Sequence, residues 1–129
     1  MTQRSIELDG LDHGKVPIPL ACRVGPLLMS GGISGKEFGT GKLPEDVETQ
    51  ARNCFANMKR ILEAADMGLG NVVKVNVFLA DEADRPAVNG PWTETFPDPA
   101  HRPARHAVVL PLRGGMRIQI DVTAYATES

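Results

Sequence analysis

Little in this sequence is present in excess, and the shortages exclude several kinds of protein. Two of the 129 residues are cysteine, Cys22 and Cys54. Their spacing matches neither a zinc set nor a Cys-x-x-Cys redox pair. The two could pair with one another, but two reduced core thiols of a cytosolic protein are expected. The three histidines, His13, His101 and His106, form no metal-ligand set, since a proline-bearing extended stretch rather than a helical turn separates the last two. No metal is expected. A net charge of -2 and a pI near 5.9 leave no basic footprint for nucleic acid. No apolar run approaches the roughly 20 residues that span a bilayer. The first ten residues are polar and acidic, unlike a signal peptide, so the expected location is the cytoplasm. Repeats and low-complexity tracts are absent.

What remains is ordinary globular composition, 42% hydrophobic and 23% charged, in a length that suits one domain over 1–129. Such a chain can bury one core and has little room for an internal substrate pocket. A seam between subunits is the natural place to build one.

Proline and glycine divide the chain into alternating strands and helices. Ser5 to Leu8 reads as a short strand, and Ala21–Val24 with Leu27–Ser30 as a hairpin across Gly25-Pro26. Gly31-Gly32-Ile33-Ser34-Gly35 follows at once, and Phe38–Pro44 reads as a glycine-rich loop. Apolar residues at Val47, Ala51, Phe55, Met58, Leu62 and Ala65 make one helical face, predicting a helix from about Pro44 to Ala65 that Gly68 and Gly70 end. Val72–Leu79 is a predicted strand with Val73, Val75, Val77 and Leu79 on one side. A second helix is predicted over Ala83–Phe96, where Pro86 and Pro91 restrict its course. Arg105–Leu110 and Met116–Ala126 complete the set, the latter with Met116, Ile118, Ile120, Val122 and Ala124 inward. This order predicts an α+β fold: a mixed sheet with both helices on one face. The other face, carrying Lys74, Asn76, Arg117, Gln119 and Asp121, is either solvated or the inside of an oligomer.

Arg105 stands out among candidate site residues. It sits at the mouth of an apolar strand, in Arg102-Pro103-Ala104-Arg105-His106-Ala107, with no acidic residue within ten positions C-terminal to it. A guanidinium beside buried surface needs a counter-charge. A ligand carboxylate could supply it in bidentate geometry, and so could Asp98 or a distant acid. Ser30 and Gly31-Gly32 follow a strand, where a ligand can approach the backbone and N–H groups can face an anion, although a plain turn would look the same. Asn89 and Trp92, three residues apart, share a helix face. Trp92 is equally a core residue, and Asn89 hints at a specific hydrogen bond. His106 points away from Arg105 in a strand and reads as a core or surface histidine. Gln119 and Asp121 share the polar face of the last strand and could hold a water.

Taken together, Leu28-Met29-Ser30-Gly31, Gln50 and Asn57, Val72-Val73-Lys74-Val75, Val88-Asn89, Phe96, Arg102-Pro103-Ala104-Arg105 and Ile118-Gln119-Ile120-Asp121 resemble the Rid (YjgF/YER057c/UK114) family. The resemblance implies a chorismate-mutase-like fold and a homotrimer with a central β-barrel and three intersubunit clefts. It also implies cofactor-free hydrolysis of enamines or imines to 2-oxo acids and ammonia. By that resemblance Arg105 holds the substrate carboxylate, and Ser30, Gly31 and Asn89 line the cleft, where Trp92 is added as a neighbour of Asn89. The sequence departs from the family's archetypal deaminases at three places. Pro17-Ile18-Pro19-Leu20 lacks their tyrosine, Ala107 stands where they have cysteine, and Gln119 where they have the glutamate that orients water, with Asp121 one pleat on. The expected function is therefore a deaminase-like hydrolase with Arg105, Gln119 and Asp121 at its reacting centre. The alternatives are a non-catalytic carboxylate-binding or sensing protein and, against the acidic charge, an L-PSP-type endoribonuclease.

Overall fold

The structure is a computed structural model that describes residues 3–127. Its centre is a seven-stranded mixed sheet. The strands are β1 (Ser5–Ile6), β2 (Ala21–Val24), β3 (Leu27–Ser30), β4 (Ile33–Ser34), β5 (Val72–Leu79), β6 (Ala104–Val109) and β7 (Ile118–Tyr125). They lie in the order β1-β2-β3-β7-β5-β6, with β4 also paired to β7. β5 and β6 run parallel and the other pairs antiparallel. Helices α1 (Val47–Ala64) and α2 (Asn89–Thr95) cover one face. The core lies between: Phe55, Met58, Ile61 and Leu62 of α1 meet Leu28, Val75, Val77, Leu79, Ile118, Ile120 and Val122 of the sheet. Each such side chain contributes about 1.5–3 kcal/mol by burial.

Local chemistry sets the boundaries. Asp46, in extended backbone, accepts from the Thr49 N–H at 2.9 Å and the Thr49 hydroxyl at 2.6 Å, so α1 begins at Val47 rather than Pro44. Its end is made by Asp66, which turns the chain at φ 59°, two residues before the glycine expected to do so. A bulge between Val72 and Lys74 puts Val72 against the core and leaves Val73 54% exposed, which corrects the simple alternation. The second predicted helix is split. Glu82–Val88 is a 3-10 segment capped by Asp81, and α2 starts afresh at Asn89. Proline at position 86 cannot donate an α-helical hydrogen bond, whereas Pro91 lies in the first turn of α2, where no intrahelical acceptor is lost. Met116 falls before β7 in a turn made by Gly114 and Gly115 at positive φ, so it flanks the core and does not join it. Ile33–Ser34, to which the sequence assigned no element, is a strand paired with β7.

α1 also binds the loops through a buried amide row. The Gln50 amide nitrogen donates to Pro44 O (2.7 Å) and Gly115 O (3.3 Å), and its oxygen accepts from Arg117 N–H (2.8 Å). Asn57 donates to Ser34 O (3.1 Å) and Lys36 O (2.9 Å). Gly35 passes so close to α1 that a Cβ there would meet the Gln50 backbone. Arg117, expected on the open face, turns instead to Asp84 of the 3-10 segment, with both carboxylate oxygens engaged at 2.7 and 3.2 Å. Among the described residues no helix is long and apolar enough to cross a membrane.

Candidate functional site

β6 is an edge strand, and its register fixes where Arg105 points. Arg105 pairs with Val75 and Ala107 with Val77, both core-facing, so Arg105 lies on the helical face and His106 on the open one. The segment before it is held by Arg102, whose Nε donates to Phe96 O at 2.8 Å. The Arg105 guanidinium donates from Nη2 to Asn89 Oδ1 at 2.9 Å and lies 4.9 Å from the centre of the Trp92 ring. Trp92 is braced in turn by Phe55 and Phe96, with ring centres at 5.9 and 4.8 Å. Asn89 and Trp92 reach one target because they are three residues apart on α2.

Among the described residues no carboxylate reaches Arg105. Asp98, the nearest candidate in sequence, is taken by the Ala100 N–H (2.9 Å) and by His101 (2.8 Å), which hold its carboxyl below the usual range. Surrounding protein partly desolvates the guanidinium and lowers its pKa with no counter-charge to raise it. One of its donors is spent on Asn89, which leaves others for an incoming anion. The adjoining cavity, about 230 Å³, is walled by Val77, Leu79, Val88, Asn89, Arg105 and Ala107.

Ser30, Gly31, Gln119 and Asp121 occupy other ground. The hydrogen-bond ladder to β7 is interrupted between β3 and β4. Ser30 repairs it: its Oγ accepts from Val122 N–H at 2.9 Å and donates to Gly31 O at 2.8 Å. The Gly31 N–H donates to Leu20 O at 2.9 Å. The expectation that this N–H faces an anion is therefore corrected, because sheet continuity already uses it. Gln119 pairs with Phe78 and Asp121 with Asn76, so both lie on the open face. Asp121 accepts from Asn76 Nδ2 at 2.8 Å. The Gln119 amide lies across Gly32, where any Cβ would collide with it. It lines a second cavity of about 640 Å³ with Leu20, Gly32, Met116, Lys36 and Arg113. Within one chain, then, Arg105, Asn89 and Trp92 come together, while Gln119 and Asp121 project from the opposite side of the same sheet. Lys36 and Arg113 were not singled out from sequence as site residues, and Gly32 was singled out only for its backbone. The glycine pair was the one available signal, and it pointed to the backbone rather than to Gln119.

Both cysteines are free, but Cys22 is exposed on β2, so the expectation of two core thiols holds for Cys54 alone. Cys54 is fully buried, and desolvation pushes its thiol well above the usual range. Among the described residues no cluster of His, Cys, Asp or Glu could hold a metal ion.

Residues 19–126 match the family model described as Endoribonuclease L-PSP. This chain belongs to the Rid (YjgF) family. The Rid chain is 36% identical to the mitochondrial protein mmf1 of Schizosaccharomyces pombe, over 85% of its own length and 75% of that protein. It is 35% identical to the 2-iminobutanoate/2-iminopropanoate deaminase of Escherichia coli K12, over 78% and 80%. The crystal structure of E. coli TdcF with bound serine superposes with a TM-score of 0.87 at 26% identity, covering 97% of the Rid chain and all of TdcF.

Proposed function

We propose that this Rid protein binds a small 2-imino or 2-oxo carboxylate through Arg105 and hydrolyses the imine to a 2-oxo acid and ammonia. The observation that carries this reading is a partly desolvated guanidinium, oriented by Asn89 and Trp92, that no carboxylate among the described residues neutralises. The 35% identity to an iminoacid deaminase and the serine bound in TdcF support a ligand of that size and charge.

In the proposed reaction Arg105 grips the carboxylate and offsets the charge that develops beside the C=N bond. Water adds to the imine carbon while the nitrogen takes a proton. The resulting carbinolamine then loses ammonia and becomes the ketone. Gln119 orients the water, and Asp121 is the nearby group able to accept a proton. Because these residues lie on the far side of the sheet from Arg105, the reaction requires a second copy of the chain. Association of copies is supported by the edge position of β6 and by the apolar side chains the monomer leaves open, among them Leu27, Met29, Val108 and Tyr125, and a homotrimer is the assembly that the family resemblance implies.

A second reading, carboxylate binding without turnover, is favoured by Ala107 and Gln119, neither of which can exchange a proton. The ribonuclease reading carried by the family model's description has against it the net charge of -2. The test generates 2-iminopropanoate in situ and follows 2-oxo acid release with wild type and Arg105→Ala. A rate above buffer that the variant abolishes is expected. Equal rates for wild type, variant and buffer end the enzymatic reading, and calorimetry with pyruvate then decides whether binding alone survives.

A further inference from the structure

The cavity beside Gln119 is larger than a three-carbon acid needs. Its volume of about 640 Å³ lies within the range of pockets that hold drug-sized ligands. Its inner wall is apolar, from Leu20, Ile33, Ile61 and Met116. Its rim carries Lys36 and Arg113, and neither side chain pairs with a carboxylate among the described residues. Asp12 also lines the rim, with Oδ1 accepting from the Gly14 N–H at 2.8 Å, so the two cations outnumber the one acid.

The roots of both cations are fixed by α1. The Lys36 carbonyl accepts from Asn57, fully buried, at 2.9 Å. The Gly115 carbonyl, two residues beyond Arg113, accepts from Gln50, also fully buried, at 3.3 Å. A turn bond from Met116 N–H to Arg113 O at 3.1 Å closes that loop. Two separate loops are thus anchored by one helix so that their cationic side chains stand around one apolar hollow. Cationic side chains from two sides of one hollow suit an anionic group bound within it.

We propose that this cavity is a distal subsite for a second acidic group, so that the preferred ligand is a dicarboxylate with an apolar spacer. The inference rests on the reading in which Arg105 takes the first carboxylate. The reacting carbon then lies beside Gln119, the spacer follows along Leu20 and Met116, and the far carboxylate meets Lys36 and Arg113.

The test measures binding by calorimetry and turnover in parallel, so that the two readings can fail separately. Binding compares 2-oxoglutarate with 2-oxobutanoate on the intact protein. Turnover compares the corresponding imino acids, generated in situ by an amino acid oxidase. Wild type is expected to favour the dicarboxylate about tenfold or more, as charge-assisted hydrogen bonds imply. Lys36→Met/Arg113→Met should collapse that ratio towards one, and Arg113→Lys should keep part of it. A wild-type preference for the monocarboxylate, or a ratio unmoved in the double variant, overturns the subsite. Dicarboxylate binding that depends on Lys36 and Arg113 without any turnover keeps the subsite and removes the hydrolase. Turnover of the monocarboxylate imine with no preference between acids does the reverse.

Discussion

Two glycines three residues apart should respond to the same substitution to different degrees and for different reasons. A Cβ at Gly32 would lie 2.7 Å from Gln119 Cδ and closer still to its amide nitrogen, but the obstacle is the far end of a flexible side chain. The backbone of Gly32 does not need glycine either, since positive φ is confined to other positions. Gly32→Ala therefore forces Gln119 into another rotamer at a cost of about 0.5–1.5 kcal/mol. That corresponds to a Tm loss of roughly 2–6 °C for a chain of this size. At Gly35 the obstacle is the Gln50 backbone, with its carbonyl carbon 2.7 Å from the added Cβ. Helix α1 and the segment that follows β4 would have to separate, and overpacking of this kind costs about 1–3 kcal/mol or more. Activity should separate the two variants further. If the Gln119 amide orients the attacking water, displacing it by an ångström lowers kcat on the order of 10- to 100-fold. Gly32→Ala should then match Gln119→Ala in turnover while staying folded. Thermal denaturation by circular dichroism, read beside 2-oxo acid release, decides the matter. Full turnover in Gly32→Ala would refute the role given to Gln119. A Tm loss equal to that of Gly35→Ala would refute the packing argument.

Other perturbations test other parts of the structure. Asp84 is buried and its partner Arg117 is half-exposed, so Asp84→Ala should cost about 1–2 kcal/mol, less than for a fully buried pair, read as a shift in urea midpoint. An unchanged midpoint would show the pair to be passive. Asp46, Glu94 and Asp98 are held below the ordinary carboxylate range by the Thr49 hydroxyl and N–H, by Arg52, and by the Ala100 N–H with His101. A depressed folded pKa means that the unfolded chain binds more protons. The stability these groups add is therefore complete above the unfolded value near 4 and lost as pH falls through the lower folded values. The triple variant Asp46→Asn/Glu94→Gln/Asp98→Asn should show a shallower Tm slope between about pH 5 and pH 2 than wild type; an identical slope refutes the assignment. The Cys54 thiol, buried and raised in pKa, should resist iodoacetamide until the chain is denatured. Peptide mapping that finds Cys54 alkylated in native protein at the denatured rate contradicts its placement.

The fold was legible where one residue type repeats at a fixed period. The face of α1 and the inward set Ile118, Ile120, Val122 and Ala124 followed from local spacing alone. So did the orientation of Asn89 and Trp92 towards one target. The illegible features depend on partners distant in sequence. β4 is two residues long and exists because β7, more than 80 positions away, offers Ile120 and Gln119 to pair with. The bulge at Val72–Lys74 shifts a valine outward with no change in composition to announce it. Ser30 and Gly31 were singled out for a ligand, yet their polar groups bridge a gap in the same sheet. Arg117 looked like an open-face residue until Asp84, 33 positions earlier, was found beneath it.

The division of the site between two faces of one sheet leads to a test that needs no structure of the assembly. Arg105 lies on the helical face of β6, and Gln119 two strands away on the open face of β7. No side-chain movement brings them into one cavity of one chain. If they act on one substrate, each site takes Arg105 from one copy and Gln119 from its neighbour. Arg105→Ala and Gln119→Ala chains, each impaired alone, should then complement when unfolded together and refolded at equal ratio. With random assembly into a closed ring, a site is intact when the chain donating Arg105 carries the Gln119 lesion and its neighbour carries the other. Each condition has even odds, so about a quarter of sites recover. Activity should rise to about that fraction of wild type on mixing, and the double variant Arg105→Ala/Gln119→Ala mixed with wild type should show no such gain. If co-refolded single variants stay at the sum of their separate rates, the two residues do not share a site, and Gln119 must be removed from the reaction.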